Sequence, residues 1–252
     1  MKKHIPNLIT LLNLFCGSIA AIFAVKNQLE VAAVFVFLGI FFDFFDGLTA
    51  RLLKVQSDLG IQLDSLADMV TSGLVPGIVM YQLLHMSSGI GSWEVADSPV
   101  EVVSLFGGDV KALPFLGLLI TLASAYRLAK FNIDEDQATS FIGLPTPANA
   151  LFILSLPLIL FYQGNDLVNG FILNKWFLIA ITLLSSYMLN ARIPLFALKF
   201  KDWKLKSNAT RYSFLSLSVI LLILLQFIAI PIVVVLYVLM SAMDTMMKKK
   251  QP

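Results

Sequence analysis

The chain has 252 residues, of which 58% are hydrophobic and 13% are charged, and its mean hydropathy is +0.84. A soluble domain carries about 25% charged residues, so this composition excludes an ordinary water-soluble fold and indicates an integral membrane protein. The single cysteine, Cys16, excludes a disulfide framework, and two histidines are too few for a histidine-built metal site. The net charge of +2 is small, and we expect no nucleic-acid partner.

Apolar runs of about 20 residues, the length that crosses a bilayer, recur along the chain. They lack the alternation of a lipid-facing barrel strand, so they predict helices. The predicted fold class is all-α, a polytopic transmembrane helical bundle that forms a single domain over residues 1–252. A six-span alternative fuses the last four runs into two. The eight predicted spans are 8–25, 28–52, 60–84, 113–131, 142–162, 171–190, 211–226 and 228–246.

The basic residues indicate how these spans are oriented. With a cytoplasmic N-terminus, eight spans place most of the 18 Lys and Arg residues in the cytoplasm and leave Lys26, Lys111 and Lys175 outside. This asymmetry follows the positive-inside rule and predicts that both termini are cytoplasmic. The inner connector 191–210 is basic and aromatic, which is typical of a segment that lies against anionic head groups. The outer connector 85–112 is predicted to be solvated and slightly acidic.

Four aspartates interrupt the second and third predicted spans, where each buried charge costs about 2.5–3.5 kcal/mol. Residues three or four apart on a helix share a face, so Asp43 pairs with Asp46 and Asp64 pairs with Asp68. At 1.5 Å per residue, both pairs lie about 6–12 Å inside the cytoplasmic ends of two antiparallel helices. If the two faces meet, the four carboxylates surround one point just below the cytoplasmic interface.

Carboxylate oxygens without His or Cys favour hard cations such as Mg²⁺, Mn²⁺ or Ca²⁺. Four carboxylates can hold two such ions, an arrangement used in phosphoryl transfer. Gly47 has no side chain, which lets a phosphate approach the backbone, and Arg51 can fork onto a diphosphate. The simpler alternatives are packing or proton-relay aspartates and, for Arg51, an arginine that anchors the helix at the interface.

The aspartates belong to a longer pattern over residues 43–68, Asp-x2-Asp-Gly-x2-Ala-Arg-x8-Gly-x3-Asp-x3-Asp. This pattern resembles, at every fixed position, the signature of the CDP-alcohol phosphatidyltransferase family. The segment 5–10, IPNLIT, is similar to the Pro-Asn-x-x-Thr start of the family's first helix. Three further segments are similar to the family's serine-using branch, which commonly has Arg where this chain has Lys130. They are 126–132 (YRLAKFN), 141–149 (FIGLPTPAN) and 189–194 (LNARIP).

The resemblance implies transfer of the phosphatidyl group of CDP-diacylglycerol to the hydroxyl of L-serine, with release of CMP. It implies two divalent cations, Mg²⁺ or Mn²⁺, on the four aspartates, and it makes Asp68 the base for the acceptor hydroxyl. It also implies a homodimer, while the distribution of basic residues predicts a protein of the cell membrane whose active site faces the cytoplasm. The residues that would bind CDP-diacylglycerol are Asn7, Thr10, Gly47, Arg51 and Ser57. Without the resemblance, Asn7, Thr10 and Ser57 are interpreted as polar residues of a helix start and a loop.

Serine needs a cation for its carboxylate, and Arg127 and Lys130 lie at the cytoplasmic end of the fourth predicted span. We expect both to contact the acceptor, although positive-inside anchoring explains them equally well. Glycerol 3-phosphate, inositol phosphate or choline are alternative acceptors. A divalent-cation transporter is an alternative from another class. Against it, the acids lie toward one interface instead of the midplane, and Arg51 beside them would repel cations.

Overall fold

The computed structural model describes residues 4–87, 112–133, 141–196 and 208–249. Most of the predicted outer connector and residues 197–207 of the basic inner connector lie outside these ranges. Within them the chain is almost entirely helical, as predicted. Its α-helices are α1 (Ile5–Val25), α2 (Leu29–Leu53), α3 (Asp58–Asp68), α4 (Val75–Ser87), α5 (Leu119–Ile133), α6 (Thr146–Tyr162), α7 (Asp166–Ile172), α8 (Lys175–Asn190), α9 (Ala209–Leu225) and α10 (Ala229–Lys249).

The first two helices form an antiparallel hairpin. Its turn contains Asn27, which has a positive φ of 57°. Phe23 stacks on Phe35 near the turn, with ring centroids 5.8 Å apart. Close approach of the two backbones is possible because the seam is built from small buried residues, as is common between membrane helices. These residues are Ala20, Ala24, Ala32 and Ala33.

The third predicted span is one helical path, but it is not a uniform α-helix. A π-helical segment, Met69–Leu74, follows α3 directly and leads into α4. π-Turns inside helices occur frequently at functional sites. Thr71 of this segment packs against glycines of both α1 and α2, Gly17 and Gly39. A Cβ atom added to Gly39 would lie 2.7 Å from Thr71 Cγ2, so this crossing requires glycine.

The predicted span 142–162 begins too early. Phe141–Ile142 (β1) instead pairs with Pro194–Leu195 (β2) in a two-residue antiparallel ladder. Gly143 then adopts a φ of +78°, its N–H donates to the carbonyl of Ile193 at 3.0 Å, and α6 begins after Pro145. Glycine tolerates this left-handed conformation and proline fixes the first turn of a helix, which together explain the later start.

The predicted span 171–190 is also not one straight helix. Helices α7 and α8 are bent by 53° at a short break. Asn174 lies at this break, and its Oδ1 accepts hydrogen bonds from the backbone of Trp176 at 2.9 Å and of Phe177 at 3.4 Å. An asparagine that caps a new helix in this way ends the preceding one, so the apolar run is divided.

The last two helices form a second antiparallel hairpin, with the break where the sequence predicts a boundary. The chain turns at Gln226, whose φ is +49°, through the 3₁₀ turn Gln226–Ile228. Phe214 of α9 lies beside Tyr237 of α10, with ring centroids 5.6 Å apart. Gln163, at the end of α6, fixes the turn because its amide donates to the carbonyl of Leu225 at 3.0 Å.

The described helices form a polytopic membrane bundle. Five helical stretches are long and apolar enough to cross a membrane, or six if the bent α7–α8 pair is one span. The sequence predicts eight spans, and the difference has two causes. Helix α6 has only 17 residues, and the residues of the α9–α10 hairpin, Thr210–Asp244, follow one another as a single helical stretch without a break. Large apolar side chains such as Leu8, Ile223 and Leu224 are more than 60% exposed. Hydrocarbon is the solvent in which such a surface is stable.

Candidate active site

Helices α2 and α3 bring three carboxylates together near one end of the bundle. Carboxylate oxygens of Asp43, Asp46 and Asp64 all lie within 4.8 Å of one another. The side chains of Asp43 and Asp64 are close enough to share a hydrogen bond. The helical faces of α2 and α3 therefore meet, as the i, i+3 and i, i+4 spacings predict. We call these three residues the carboxylate triad.

Asp68 lies beside the triad, and its charge interacts with those of all three members. Its Oδ1 accepts a hydrogen bond of 3.3 Å from Asn13 Nδ2 of α1. Asp68 is the last residue of α3. The π-helical segment begins at the next residue, so the regular α-helical spacing of three and four residues ends at Asp68. Within the described ranges, its Oδ2 is free of hydrogen bonds.

Helix α1 supplies the polar residues that orient these carboxylates. Thr10 is buried, and its Oγ1 donates to Asp46 Oδ2 at 2.5 Å. Asn13 is fully buried, and its Oδ1 accepts a hydrogen bond of 2.8 Å from Thr71 Oγ1. Sequence reasoning missed both Asn13 and Thr71. Helical spacing could have identified both residues, since Asn13 follows Thr10 by three residues and Thr71 follows Asp68 by three, on the same helical faces.

The residues expected to bind CDP-diacylglycerol form two small groups near the triad. Arg51 is exposed, and its Nε donates to the carbonyl of Gly47 at 2.9 Å. A Cβ atom on Gly47 would meet nothing nearer than Arg51 Nη2 at 4.0 Å, so the space above this backbone is open. In the second group, a Cβ on Gly60 would lie 3.3 Å from both Asn7 Oδ1 and Ser57 Oγ, which places these three residues together.

Ser57 has a structural role in addition to the predicted one. It is the N-cap of α3, where its Oγ accepts a hydrogen bond of 3.2 Å from the backbone of Gly60. Asp58 occupies the first turn of α3, where a negative charge interacts favourably with the helix dipole. Ser57 is therefore the capping residue of α3, and Asp58 adds to the stability of the same helix end.

The two predicted acceptor contacts have different environments. Arg127 of α5 is buried, with 8% of its surface exposed, and its charge interacts with that of Asp68. Its Nε has no hydrogen-bond partner among the described residues. Lys130 is partly buried and lines an open cavity of about 330 Å³ with Tyr126, Ala129 and Ile133. Arg127 therefore belongs to the surroundings of Asp68, whereas Lys130 lines the open cavity one helical turn further along α5.

Helix α5 is tied to α3 by side-chain hydrogen bonds. Ser65 Oγ donates to Asn132 Oδ1 at 3.1 Å, and Asn132 Nδ2 donates to Gln62 Oε1 at 3.3 Å. Ser65 follows Asp64 directly in the chain. These bonds fix α5, and with it Arg127, relative to the triad.

The donor set of the triad fits a divalent cation. Three carboxylates this close repel one another at low dielectric, and a cation between them offsets the repulsion. Oxygen donors at this spacing suit hard ions such as Mg²⁺ or Mn²⁺ better than metals that prefer His or Cys. The hydrogen bond from Thr10 fixes one carboxylate of the set, as partners of metal ligands commonly do.

These features define the chain as a polytopic membrane protein with an acidic, metal-competent site at one end of its helical bundle. The family model of CDP-alcohol phosphatidyltransferases matches residues 3–188. The chain belongs to this family, and the resemblance seen in its sequence is confirmed.

Three similar curated proteins carry the name CDP-diacylglycerol–serine O-phosphatidyltransferase. The protein of Helicobacter pylori (strain 26695) is 32% identical over 219 residues, which cover 84% of this chain and 80% of the relative. That of Bacillus subtilis is 34% identical over 158 residues, 61% of this chain and 75% of the relative. The archaeal protein of Methanocaldococcus jannaschii is 29% identical over 180 residues, 71% of this chain and 69% of the relative.

Proposed function

We propose that this protein transfers the phosphatidyl group of CDP-diacylglycerol to the hydroxyl of L-serine and releases CMP. The observation that carries the proposal is the convergence of Asp43, Asp46 and Asp64, with Asp68 and the buried Arg127 beside them. The family supplies the reaction class, and the names of the relatives supply the acceptor.

Asp43, Asp46, Asp64 and Asp68 are the residues that would hold two divalent cations, Mg²⁺ or Mn²⁺. When bound, these cations would neutralise the diphosphate and stabilise the charge on departing CMP. The protein's own contribution is orientation. Thr10 fixes Asp46, so this ligand is already oriented before substrate binds, which lowers the cost of organising the site.

The CDP part of the substrate would lie over the open backbone at Gly47. Arg51 needs to exchange its bond to the Gly47 carbonyl for the diphosphate, which an exposed side chain can do at low cost. Asn7, Thr10 and Ser57 complete this binding region at the start of α1 and α3. The placement of Asn7 and Ser57 on either side of Gly60 supports their assignment to one substrate group.

The serine hydroxyl would be deprotonated by Asp68. As the new bond between the serine oxygen and the lipid-side phosphorus forms, the bond from this phosphorus to the CMP oxygen breaks, and the proton passes to Asp68. The bond from Asn13 holds Oδ1 of this carboxylate, so Oδ2 is the oxygen that takes the proton. Arg127 would bind the serine carboxylate because its Nε lacks a protein partner in the described ranges and it lies near Asp68. Lys130 is a second, more distant cation for the acceptor.

We further propose that the whole chain is one membrane domain with eight crossings in the cell membrane. The contact of Gln163 with the α9–α10 turn supports this, since it aligns that turn with the end of α6. Tyr237 donates to the carbonyl of Phe196 at 2.9 Å, which aligns α10 with the opposite end. Helices α6, α9 and α10 then each extend between the same two ends of the helical bundle. The distribution of basic residues supports cytoplasmic termini and a cytoplasmic active site, and the family supports a homodimer.

The proposal is tested by incubating purified protein with CDP-diacylglycerol, Mg²⁺ or Mn²⁺ and isotopically labelled serine, followed by lipid extraction. We expect label in a phospholipid, and no labelled phospholipid after chelation of the divalent cations or in the Asp64→Asn variant. An exposed substitution far from the site, Leu167→Ala in α7, is the control and should retain full activity. Folded wild-type protein that labels no lipid would reject the proposal.

A further inference from the structure

The third helical path, which consists of α3, the π-helical segment Met69–Leu74 and α4, contacts α5 on one face. Near the start of this path, Ser65 donates to Asn132 of α5 at 3.1 Å. One helical turn further, the charge of Asp68 interacts with that of Arg127 of α5. Ser65 and Asp68 are three residues apart in α3, so a regular helix directs both toward α5.

Beyond the π-helical segment the contacts with α5 involve glycines. Thr121 Oγ1 of α5 donates to the carbonyl of Gly73 at 3.2 Å. A Cβ atom added to Gly77 would collide with Thr121 Oγ1. Gly117 lies in the 3₁₀ turn before α5, and a Cβ atom there would lie 3.0 Å from the carbonyl oxygen of Gly77. Gly73 and Gly77 therefore face α5 as well.

Asp68 and Gly77 could not share this face on a regular α-helix. They are nine residues apart, and at about 100° per residue this separation is about 180°, which places them on opposite sides. A π-helical turn contains one residue more, because each N–H bonds to the fifth residue before it, as the N–H of Val75 does to the carbonyl of Val70. The effective separation then becomes about eight residues, a spacing that lies on one stripe of a helix.

Pro76 explains why the helix leaves the α-helical pattern at this point. Proline has no N–H, and its ring clashes with the carbonyl four residues before it. The proline disturbs the preceding turn but does not hold it in one arrangement. Two threonine hydroxyls do so from opposite sides, since Thr71 bonds to Asn13 of α1 and Thr121 bonds to Gly73.

We propose that Thr121 is a positioning residue for phosphatidyl transfer, because its bond to Gly73 holds the π-helical turn that directs Asp68 toward Arg127. The inference rests on the proposed function, in which Asp68 takes the proton of the acceptor and Arg127 binds its carboxylate. Without the hydroxyl of Thr121, the additional residue of the π-helical turn can be accommodated earlier in the path, and Asp68 turns away from Arg127. Helix α5 itself stays in place, since Asn132 still ties it to α3.

Thr121→Val tests this role, because valine keeps the β-branched shape and removes the hydroxyl. We expect kcat to fall about three- to tenfold, the effect of one neutral hydrogen bond. The KM for CDP-diacylglycerol should stay near the wild-type value, since the region assigned to the CDP part is untouched. Thr121→Ser keeps the hydroxyl and should restore kcat. The matched control is Thr182→Val, at a buried threonine whose hydroxyl donates to the carbonyl of Leu178 in its own helix at 2.7 Å.

Hydrogen exchange followed by mass spectrometry examines the turn without turnover. The full-length variants are compared in the same detergent. Amides of residues 69–78 should exchange severalfold faster in Thr121→Val than in wild type, because a helical turn that loses an outside bond opens more often. Thr121→Ser and Thr182→Val should exchange at the wild-type rate in this segment.

Three results would overturn the proposal. Wild-type exchange in Thr121→Val would show that the hydroxyl does not hold the turn. Faster exchange with an unchanged kcat would show that the turn does not position Asp68. An equal fall of kcat in Thr182→Val would assign the effect to the loss of any buried hydroxyl. If wild-type protein transfers phosphatidyl to no acceptor, the proposed function fails by its own test, and the exchange measurement still decides whether Thr121 holds the turn.

Discussion

Asn13→Leu should lower turnover while the fold is retained. The substitution keeps the branching of this fully buried side chain, with a somewhat larger volume, and removes its 3.3 Å hydrogen bond to Asp68. Thr71 is not left unpaired, because its hydroxyl also lies 3.2 Å from the backbone carbonyl of residue 13. A hydrogen bond to a charged group contributes about 1.5–3 kcal/mol. The Asn13 bond is long, so the lower half of this range applies.

At about 1.4 kcal/mol per factor of ten, this loss predicts a decrease of kcat by about 10- to 40-fold. The assay is CMP release by purified protein with CDP-diacylglycerol, serine and a divalent cation, with kcat and both KM values measured separately. The KM for CDP-diacylglycerol should change little, because Asn13 touches Asp68 and Thr71, outside the region assigned to the CDP part.

The matched control is Ser18→Ala on the same helix. Ser18 is exposed, and its hydroxyl donates to its own helix at the carbonyl of Leu14. Thermal unfolding in detergent establishes that each variant is folded. A kcat for folded Asn13→Leu within twofold of the wild-type value would refute the reasoning that Asn13 orients the base.

Three further predictions test packing, substrate binding and acceptor binding. Gly39→Val should destabilise the protein by about 1–3 kcal/mol, because the new side chain overpacks against the π-helical segment. Gly170→Ala is the control and should not destabilise it, because a Cβ atom at position 170 meets nothing within 4 Å. Equal melting temperatures for the two variants would contradict this prediction. Ser57→Gly should cost a few tenths of a kcal/mol as a helix cap but raise the KM for CDP-diacylglycerol severalfold, and an unchanged KM would leave Ser57 as a cap alone. Arg127→Lys should raise the KM for serine about tenfold or more, since lysine cannot form the paired hydrogen bonds of a guanidinium, and Lys130→Gln should raise it less. If neither variant changes that KM, both residues are removed from the acceptor site.

The first three helical paths were predictable because their apolar runs are separated by polar turns. The limits of α1 and α2 differ from prediction by at most three residues. The later deviations have local causes that hydropathy does not register. Gly143 and Pro145 hold an extended segment before α6, and Asn174 starts a new helix inside one apolar run.

The candidate site was predictable where it depends on helical spacing alone. Asp43, Asp46 and Asp64 meet because two regular helices turn the expected faces toward each other. The orientation of Asp68 was not predictable, since it depends on a long-range bond to Asn13 beside a π-helical segment that no local pattern announces.

Asn149 shows even more clearly that contacts between distant segments cannot be predicted from local sequence patterns. Its type and position fit an ordinary first helical turn, so the sequence gives no reason to expect a fully buried amide without a partner. It lies where three helices that are distant in the chain, α6, α8 and α10, come together. Only the packed bundle brings these helices together, and the unexplained amide becomes visible there.

The most direct test of the central claim is CMP release by purified protein from CDP-diacylglycerol, measured across a panel of acceptors with Mg²⁺ or Mn²⁺ present. The panel contains serine, glycerol 3-phosphate, inositol phosphate and choline. We predict release with serine alone, and its loss in Asp43→Asn and Asp64→Asn variants that remain folded. Release with another acceptor in place of serine would contradict the assignment of the substrate. Absence of release with every acceptor, in folded protein, would contradict the assignment of the carboxylate triad to phosphatidyl transfer.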